Sequence, residues 1–412
     1  MKAIIITIGD EILSGATVDT NAAYIAKGLI SIGVDVTRRV SVGDNPPEME
    51  REIRDGLSKF DIVITTGGLG PTDDDMTKDV ICRVFDTELV EHEDTLKALE
   101  RRYEQLNLTM SKAARGMAMQ PKGATLIHNT LGTAPGILFD RDGRVFCSMA
   151  GVPSEMRSIV DQGLLPYLEK RGTDHVIIFK NISTFGIPES KLAERLEEAG
   201  FVPQNAKLAF LPSYAGVILR LRADGKSEAE VEEVIDINTK RILDVVGEYV
   251  FTTDSRSLLE AVTDLIKENH VTVSAAESCT GGLISKLLTD VSGSSGYFTQ
   301  SIITYANEAK IDRLGVRPET IEKYGAVSEQ TCREMVEGML RTAGTDYAVA
   351  STGIAGPTGG TDDKPVGMVY LGVANRDRTD VRRFVFSGDR DVVRTRSAFT
   401  VLNMLRLRLL GK

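Results

Sequence analysis

Cysteine and histidine are scarce in this 412-residue chain, and positive charge is outnumbered. Each shortage closes off a class of function. The four cysteines, Cys82, Cys147, Cys279 and Cys332, lie far apart with no CxxC pair. That spacing argues against a disulfide scaffold or a structural zinc site and for a reducing cytoplasm. Lys and Arg total 49 against 59 Asp and Glu, a net charge of −10, which argues against a general nucleic-acid binder. No apolar run reaches the roughly 18 residues that would suggest a membrane span. The apolar stretch Ala3–Ile8 meets Asp10 almost at once, too early for a secretion signal. What is present is ordinary: 42% hydrophobic and 26% charged residues, close to usual globular composition. At roughly 150 residues per domain the length suits two or three domains. The chain reads as a soluble, acidic, multidomain cytoplasmic protein.

Three blocks follow one another. In the first, the apolar run Ala3–Ile8 predicts a parallel strand covered on both faces. A helical pattern spans Asn21–Ile32, a strand Val34–Val42, and Pro46 and Pro47 open a further helix. Asp61–Thr66 is a second buried strand, followed by a glycine-rich turn and a helix over Asp75–Phe85. Strand–helix alternation of this kind predicts a parallel βαβ sheet. Asp140-Arg141-Asp142-Gly143 marks a hairpin, and a helix over Ser154–Glu169 is expected to kink near Pro166. The second block, from Arg171-Gly172-Thr173 to about Thr253, reads as a small α+β module in a KH-like order. It lacks a GxxG loop, which argues against RNA binding. The third block alternates strand and helix again, from the helix Ser257–Asn269 to the helix Val392–Leu410.

Chemistry in open α/β sheets sits beyond the carboxyl ends of strands, and a glycine-rich segment lies there in the first block. Thr65-Thr66-Gly67-Gly68-Leu69-Gly70-Pro71-Thr72-Asp73-Asp74-Asp75 links a strand to a helix. Its glycines let backbone N–H groups converge on an anion, with Thr66, Gly67, Gly68, Gly70 and Thr72 as phosphate-binding candidates. Acids beside a phosphate cradle make sense if a divalent cation bridges carboxylate and phosphate oxygens. Asp73, Asp74 and Asp75, with Asp10 and Glu11 at the end of the first strand, are the candidate metal ligands. The competing reading makes the acids helix caps. No GK[ST] follows, so this is not a Walker loop.

In the third block, Ala275-Ala276-Glu277-Ser278-Cys279-Thr280-Gly281-Gly282 passes from strand to helix. A serine at such a junction is exposed at the sheet edge, with helix N–H groups near it to hold an oxyanion. The G-x-S-x-G spacing is absent, and His270 is the sole histidine of the block, so a Ser-His-Asp triad is a poor fit. Lys310, in Thr304-Tyr305-Ala306-Asn307-Glu308-Ala309-Lys310, could turn back and accept the Ser278 proton, with Tyr305 relaying it or orienting the pair. Spacing alone favours a blander version, with Tyr305 an edge residue and Lys310 a solvated helical charge. Cys279 is the rival nucleophile and suits small apolar packing better. A second glycine-rich loop contains Thr352 and Gly353, and Arg390 and Arg394 follow the last strand. Those arginines suit bidentate phosphate contacts or, alternatively, an exposed first turn paired with Asp389 and Asp391.

Taken together, ITIGDEIL with DTN, TTGGLGPTDDD, NTLGTAPG and MAGVPSEM resemble the molybdopterin-binding-like N-terminal domain of the CinA (competence/damage-inducible) proteins. AAESCTGG, TYANEAK, GAVS, STGIAGPTGG and SGDRDVVR are similar to the C-terminal domain of that family, the nicotinamide mononucleotide deamidases. The resemblance implies two three-layer α/β domains with parallel sheets, 1–170 and 253–412, joined by a KH-like α+β domain, 171–252. It also implies a cytoplasmic homodimer with two hydrolase activities. One converts nicotinamide mononucleotide to nicotinic acid mononucleotide and ammonia without a cofactor. Ser278 is its nucleophile, Lys310 its base and Tyr305 its assisting tyrosine, which reverses the preference that spacing gave. Gly281, Gly282, Thr352, Gly353, Arg390 and Arg394 would line the substrate. The other splits ADP-ribose into AMP and ribose 5-phosphate with a divalent metal such as Mg²⁺ and potassium. A pterin- or nucleotide-binding module without turnover is the alternative for that domain.

Overall fold

Every residue from Ala3 to Ile6 is fully buried, because the strand Lys2–Ile8 lies inside a sheet that is covered on both faces. Ile4 and Ile6 point to a layer holding Met49, Ile53 and Val80. Ala3 and Ile5 point to the opposite one, with Ile25, Leu29 and Leu164. The alternation that a strand imposes thus serves two cores at once. In this computed structural model, residues 1–72, 75–105, 107–172 and 175–412 are described. The six strands run in the order Asp35–Val42, Lys2–Ile8, Ile62–Thr66, Arg144–Met149, Gly136–Arg141, Thr125–Ile127. The first four are mutually parallel, Gly136–Arg141 runs antiparallel to them, and Thr125–Ile127 antiparallel to Gly136–Arg141. Asn45 caps the helix Pro46–Lys59 through the Glu48 N–H, with proline at the position that loses no hydrogen bond. The expected kink near Pro166 takes the form of a π turn, Val160–Leu164, just before the helix Leu165–Arg171. Proline supplies no N–H to the preceding turn, and a wider turn absorbs that loss.

A four-stranded sheet in the order Ala206–Ser213, Gly216–Gly225, Val176–Thr184, Val250–Thr252 forms the small α+β module, with the helices Glu189–Glu198 and Glu228–Val246. By packing, the chain forms two compact units. One is Met1–Ile178 with Ala223–Val234, and the other is Phe179–Arg222 with Ile235–Lys412.

The C-terminal sheet has the order Phe298–Ile303, Val273–Glu277, Tyr347–Gly353, Met368–Ala374, Thr379–Val385. Its first three strands are parallel; Met368–Ala374 runs antiparallel to them, and Thr379–Val385 antiparallel to Met368–Ala374. The reason is topological: no crossover helix lies between Gly353 and Met368, and a parallel neighbour would need one. Val273 and Ala275 face the helices Leu258–Glu268, Leu283–Asp290 and Arg390–Leu409. Ala276, Ala348 and Ala350 face the helix Glu329–Ala343 through Cys332, Met335 and Val336. The α/β architecture has helices on both faces, and both glycine-rich loops leave the carboxyl ends of its strands, as expected. Among the described residues no helix is long and apolar enough to cross a membrane.

Candidate active site

The strand Val273–Glu277 is buried throughout, and the chain turns sharply at its end. The Ser278 N–H donates to the Ser351 carbonyl at 3.1 Å, and the Thr304 N–H donates to the Glu277 carbonyl at 2.8 Å. These bonds tie the serine to the strands on either side. Gly281 (φ +59°) and Gly282 (φ +96°) then reverse the chain into the helix Leu283–Asp290. Both angles lie in the region that favours glycine.

Lys310, on the helix Asn307–Leu314, points back to this turn and is 1% exposed. The solvated-charge reading of Lys310 is therefore overturned. Its Nζ stands 3.2 Å from Ser278 Oγ, 2.7 Å from the Thr304 carbonyl and 3.4 Å from the Tyr305 carbonyl. Two of these partners can only accept. A neutral amine has two N–H donors and one lone pair, so donation to the carbonyls leaves the lone pair for the serine hydroxyl. Burial lowers the Lys310 pKa below the ordinary lysine value and outweighs Glu308 and Cys279, which raise it. The Cys279 thiol is pushed up to about 11, chiefly by burial. It is thus protonated at neutral pH and a poor nucleophile.

Ser278, Lys310 and Tyr305 share a cavity of about 210 Å³ with Thr352, Gly353 and Arg390, closed by Ala326 and Val327. Thr352 Oγ1 donates to the Ala326 carbonyl at 2.8 Å, and Lys364 Nζ donates to the Val327 carbonyl at 2.8 Å. These two bonds pin that wall. Tyr305 is 63% exposed. Its hydroxyl accepts from Arg390 Nη2 at 2.8 Å, while Arg390 Nη1 donates to the Gly356 carbonyl at 2.9 Å. The tyrosine therefore meets Lys310 through its backbone carbonyl, and its hydroxyl is at the arginine. Gly281, Gly282 and Arg394 do not line the cavity. Arg394 instead donates to the Thr280 carbonyl at 3.0 and 3.2 Å, and Asp389 caps the last helix through the Val392 N–H.

Glu277 is the residue that sequence reasoning missed. Its carboxylate is 0% exposed. It accepts from the N–H groups of Gly282 (2.9 Å), Ile284 (3.1 Å) and Ser285 (2.8 Å), and from the hydroxyls of Thr280 and Ser285. The positive end of the helix Leu283–Asp290 is thus spent on an internal carboxylate. This corrects the expectation that the helix N–H groups hold an oxyanion. The N–H groups of Cys279 and Thr280 donate to no other residue among the described residues, and they directly follow the serine.

In the first unit, Gly67, Gly68, Gly70, Glu11 and Asp75 line a cavity of about 400 Å³. The Gly67 N–H donates to the Met149 carbonyl at 3.0 Å. Among the described residues, the N–H groups of Gly68, Leu69 and Gly70 have no partner. Those three are the donors an anion would meet. Thr66 and Thr72 do not serve as expected. Thr66 Oγ1 donates to the Ala150 carbonyl and accepts from buried Asn21, and Thr72 Oγ1 donates to Asp75. Asp10 Oδ1 accepts from the Asp44 N–H at 3.2 Å, and the Asp10 N–H donates to Asp44 Oδ2 at 3.0 Å; Asp44 lines the cavity and Asp10 stands behind it. Asp73 and Asp74 lie outside the described residues. Among the described residues no three acidic, histidine or cysteine side chains converge as a metal site. Of the five acids expected to hold the metal, Glu11 and Asp75 line the cavity. Lys78 was also missed: it is buried, its pKa is pushed down to about 8 by burial, and its Nζ donates to the carbonyl of Met117, a residue of the cavity wall. A lysine one turn after a glycine-rich loop was the available signal.

Fold and geometry define an α/β protein with a buried serine–lysine pair at a strand–helix turn and a separate glycine-rich cradle. Residues 4–170 match the probable molybdopterin binding domain, 179–252 the damage-inducible protein CinA KH domain, and 255–409 the CinA C-terminal domain. A Clostridium beijerinckii protein that bears the competence-damage inducible name is 39% identical over 406 residues, covering 98% of this chain and 99% of that one. A CinA-like protein of Kosmotoga olearia is 38% identical over 410 residues, covering 100% and 99%. A crystal structure of the protein CinA from Thermoplasma acidophilum is 38% identical and covers 41% of this chain and 96% of that one, with a TM-score of 0.37. The chain belongs to the CinA family.

Proposed function

We propose that the C-terminal site is an amide hydrolase that converts nicotinamide mononucleotide to nicotinic acid mononucleotide and ammonia. The observation that supports this most is the 3.2 Å approach of Lys310 Nζ to Ser278 Oγ inside a buried pocket. The neutral amine takes the serine proton as Oγ attacks the carboxamide carbon. The developing oxyanion is met by the Cys279 and Thr280 N–H groups that follow the serine. The ammonium of Lys310 then returns the proton to the departing nitrogen, ammonia leaves, and an ester to Ser278 remains. Water attacks that ester, Lys310 takes its proton and passes one to Oγ, and the carboxylic acid is released. A cavity of about 210 Å³ is below the roughly 300 Å³ at which whole-ligand pockets begin. It suits one ring with its carboxamide, leaving ribose and phosphate at the mouth beside Arg390. Ammonia release from nicotinamide mononucleotide by the full chain and by Ser278→Ala tests the reading. A variant rate within about tenfold of wild type would sink it.

The first cavity is read as a site for the diphosphate of ADP-ribose. The reading is supported by the three unpartnered N–H groups of Gly68, Leu69 and Gly70, which suit phosphate oxygens. Hydrolysis to AMP and ribose 5-phosphate is the activity that goes with it. A second reading of the same cradle is a nucleotide- or pterin-holding module without turnover. AMP formation from ADP-ribose, assayed with and without Mg²⁺, separates the two; binding with no AMP under either condition leaves the holding module.

A further inference from the structure

We infer that the hollow beside the glycine-rich loop, between the helix Glu93–Gln105 and residues 126–135, is a nucleoside subsite that takes the base end of the ligand. The inference rests on the reading of the neighbouring cavity as a nucleotide-diphosphate site. The hollow has a volume of about 470 Å³ and the cradle about 400 Å³, and Thr133 lines both. Only one stretch of backbone separates them.

That partition is held rigidly. Asn129 is buried, and its Oδ1 accepts from the N–H groups of Leu131 (3.1 Å) and Gly132 (2.9 Å). Its Nδ2 donates to the Ala134 carbonyl at 2.9 Å and to Glu155 Oε2 at 2.7 Å. Glu155 itself lines the cradle. Arg102 clamps the other side, donating to the Leu131 and Gly132 carbonyls at 3.0 and 3.3 Å. A Cβ on Gly132 would collide with both Glu155 and Asn129. A ligand whose phosphates lie over Gly68–Gly70 therefore passes Thr133 to reach the hollow.

The lining decides which part of the ligand enters. Its floor is apolar, made by Ala98, Leu99, Leu126 and Pro135. Around it stand His92, His128, Arg101 and Gln105. His92 Nδ1 is engaged by the Thr95 N–H at 3.3 Å and the Thr95 hydroxyl at 2.9 Å. Arg102 would be the natural phosphate partner, but it is committed to carbonyls. What remains is an apolar floor with flat or hydrogen-bonding groups around it and, at the exposed rim, Arg101 and the carboxylate of Asp94. A base has two apolar faces and a polar edge and matches that combination. A second phosphate would meet one exposed guanidinium, Arg101, in a lining that also holds the Asp94 carboxylate.

Calorimetric titration of the full-length chain with AMP, ribose 5-phosphate and pyrophosphate tests the assignment. Wild type should bind AMP at least about tenfold more tightly than ribose 5-phosphate. Ala98→Trp fills the floor from an exposed helix position, and Arg101→Ala removes an exposed rim group without touching the core. The first should weaken AMP about tenfold, the second several-fold, and both should leave pyrophosphate within about twofold. If both variants bind AMP as wild type does while pyrophosphate still binds, the subsite is wrong and the cradle stands. If wild type binds neither AMP nor pyrophosphate, the cradle reading falls and takes the subsite with it.

Discussion

Lys310 Nζ lies 3.2 Å from Ser278 Oγ across thirty-two residues of sequence, with two carbonyls taking the other directions of the amine. The amine has no carboxylate partner among these contacts, so burial governs its proton. Removing either member should abolish amide hydrolysis. Ser278→Ala and Lys310→Met are each expected to lower kcat/KM by about a thousandfold or more, and the double variant little further, because the two act as a unit. Steady-state ammonia release from the three variants checks this; additive losses would contradict it.

A base must be unprotonated to act. Since burial lowers the Lys310 pKa, activity should rise with pH through a pKa below the ordinary lysine value. Stability carries the same signature. Between the lowered folded pKa and the ordinary 10.5, the unfolded chain binds a proton that the folded chain does not, so wild-type stability gains from Lys310 as pH rises. Lys310→Met lacks that gain. The melting temperature of wild type minus that of the variant should therefore increase as pH rises toward the ordinary lysine value of 10.5. A flat difference would mean that the folded lysine keeps its proton.

The sheets were legible because parallel strands buried on both faces leave unbroken apolar runs, as in Ala3–Ile8. Both loops were legible because glycine marks the strand–helix turn. The burial of Lys310 was not. On the helix Asn307–Leu314 it alternates with charged neighbours, and only the neighbouring strands and the Thr304 carbonyl enclose it. The antiparallel return of Met368–Ala374 was legible in principle, from the missing helix pattern after Gly353. Glu277 left a fainter signal: one acid closing an apolar strand just before a helix, where a cap belongs.

Glu277→Gln should show what that carboxylate does. Five donors surround its two oxygens, and a glutamine must turn an N–H group toward some of them. The loss of charge-assisted bonds at a fully buried position is expected to cost about 2–4 kcal/mol. The turn carrying Ser278 loosens with it, so kcat should fall more than KM changes. Urea unfolding and steady-state kinetics on the same preparation check both. Unchanged kcat in a destabilised protein would reduce Glu277 to a structural cap.

Arg390 reaches both the Gly356 carbonyl and the Tyr305 hydroxyl, a span that a planar fork meets and a single ammonium does not. Arg390→Lys and Arg390→Ala should both raise KM for nicotinamide mononucleotide, by about tenfold for alanine, with kcat changed less. Equal losses in kcat would move the arginine from the mouth of the cavity to the reacting group.

Gly67 offers the sharpest test of the cradle. Its φ is +117°, and an added Cβ would overlap the Ile8 carbonyl oxygen. That oxygen belongs to the buried central strand and cannot move aside. Gly67→Ala should therefore cost about 3 kcal/mol or more and abolish pyrophosphate binding, since the free N–H groups of Gly68, Leu69 and Gly70 follow it directly. Gly116 is the matched control. It ends the helix Lys112–Gly116, and nothing lies within 4 Å of an added Cβ, so Gly116→Ala should be neutral or stabilising by about 0.5 kcal/mol. Chemical unfolding of both variants, with pyrophosphate titrated against each, decides the matter. A Gly67→Ala protein as stable as wild type and still binding pyrophosphate would mean that the loop has a different backbone path.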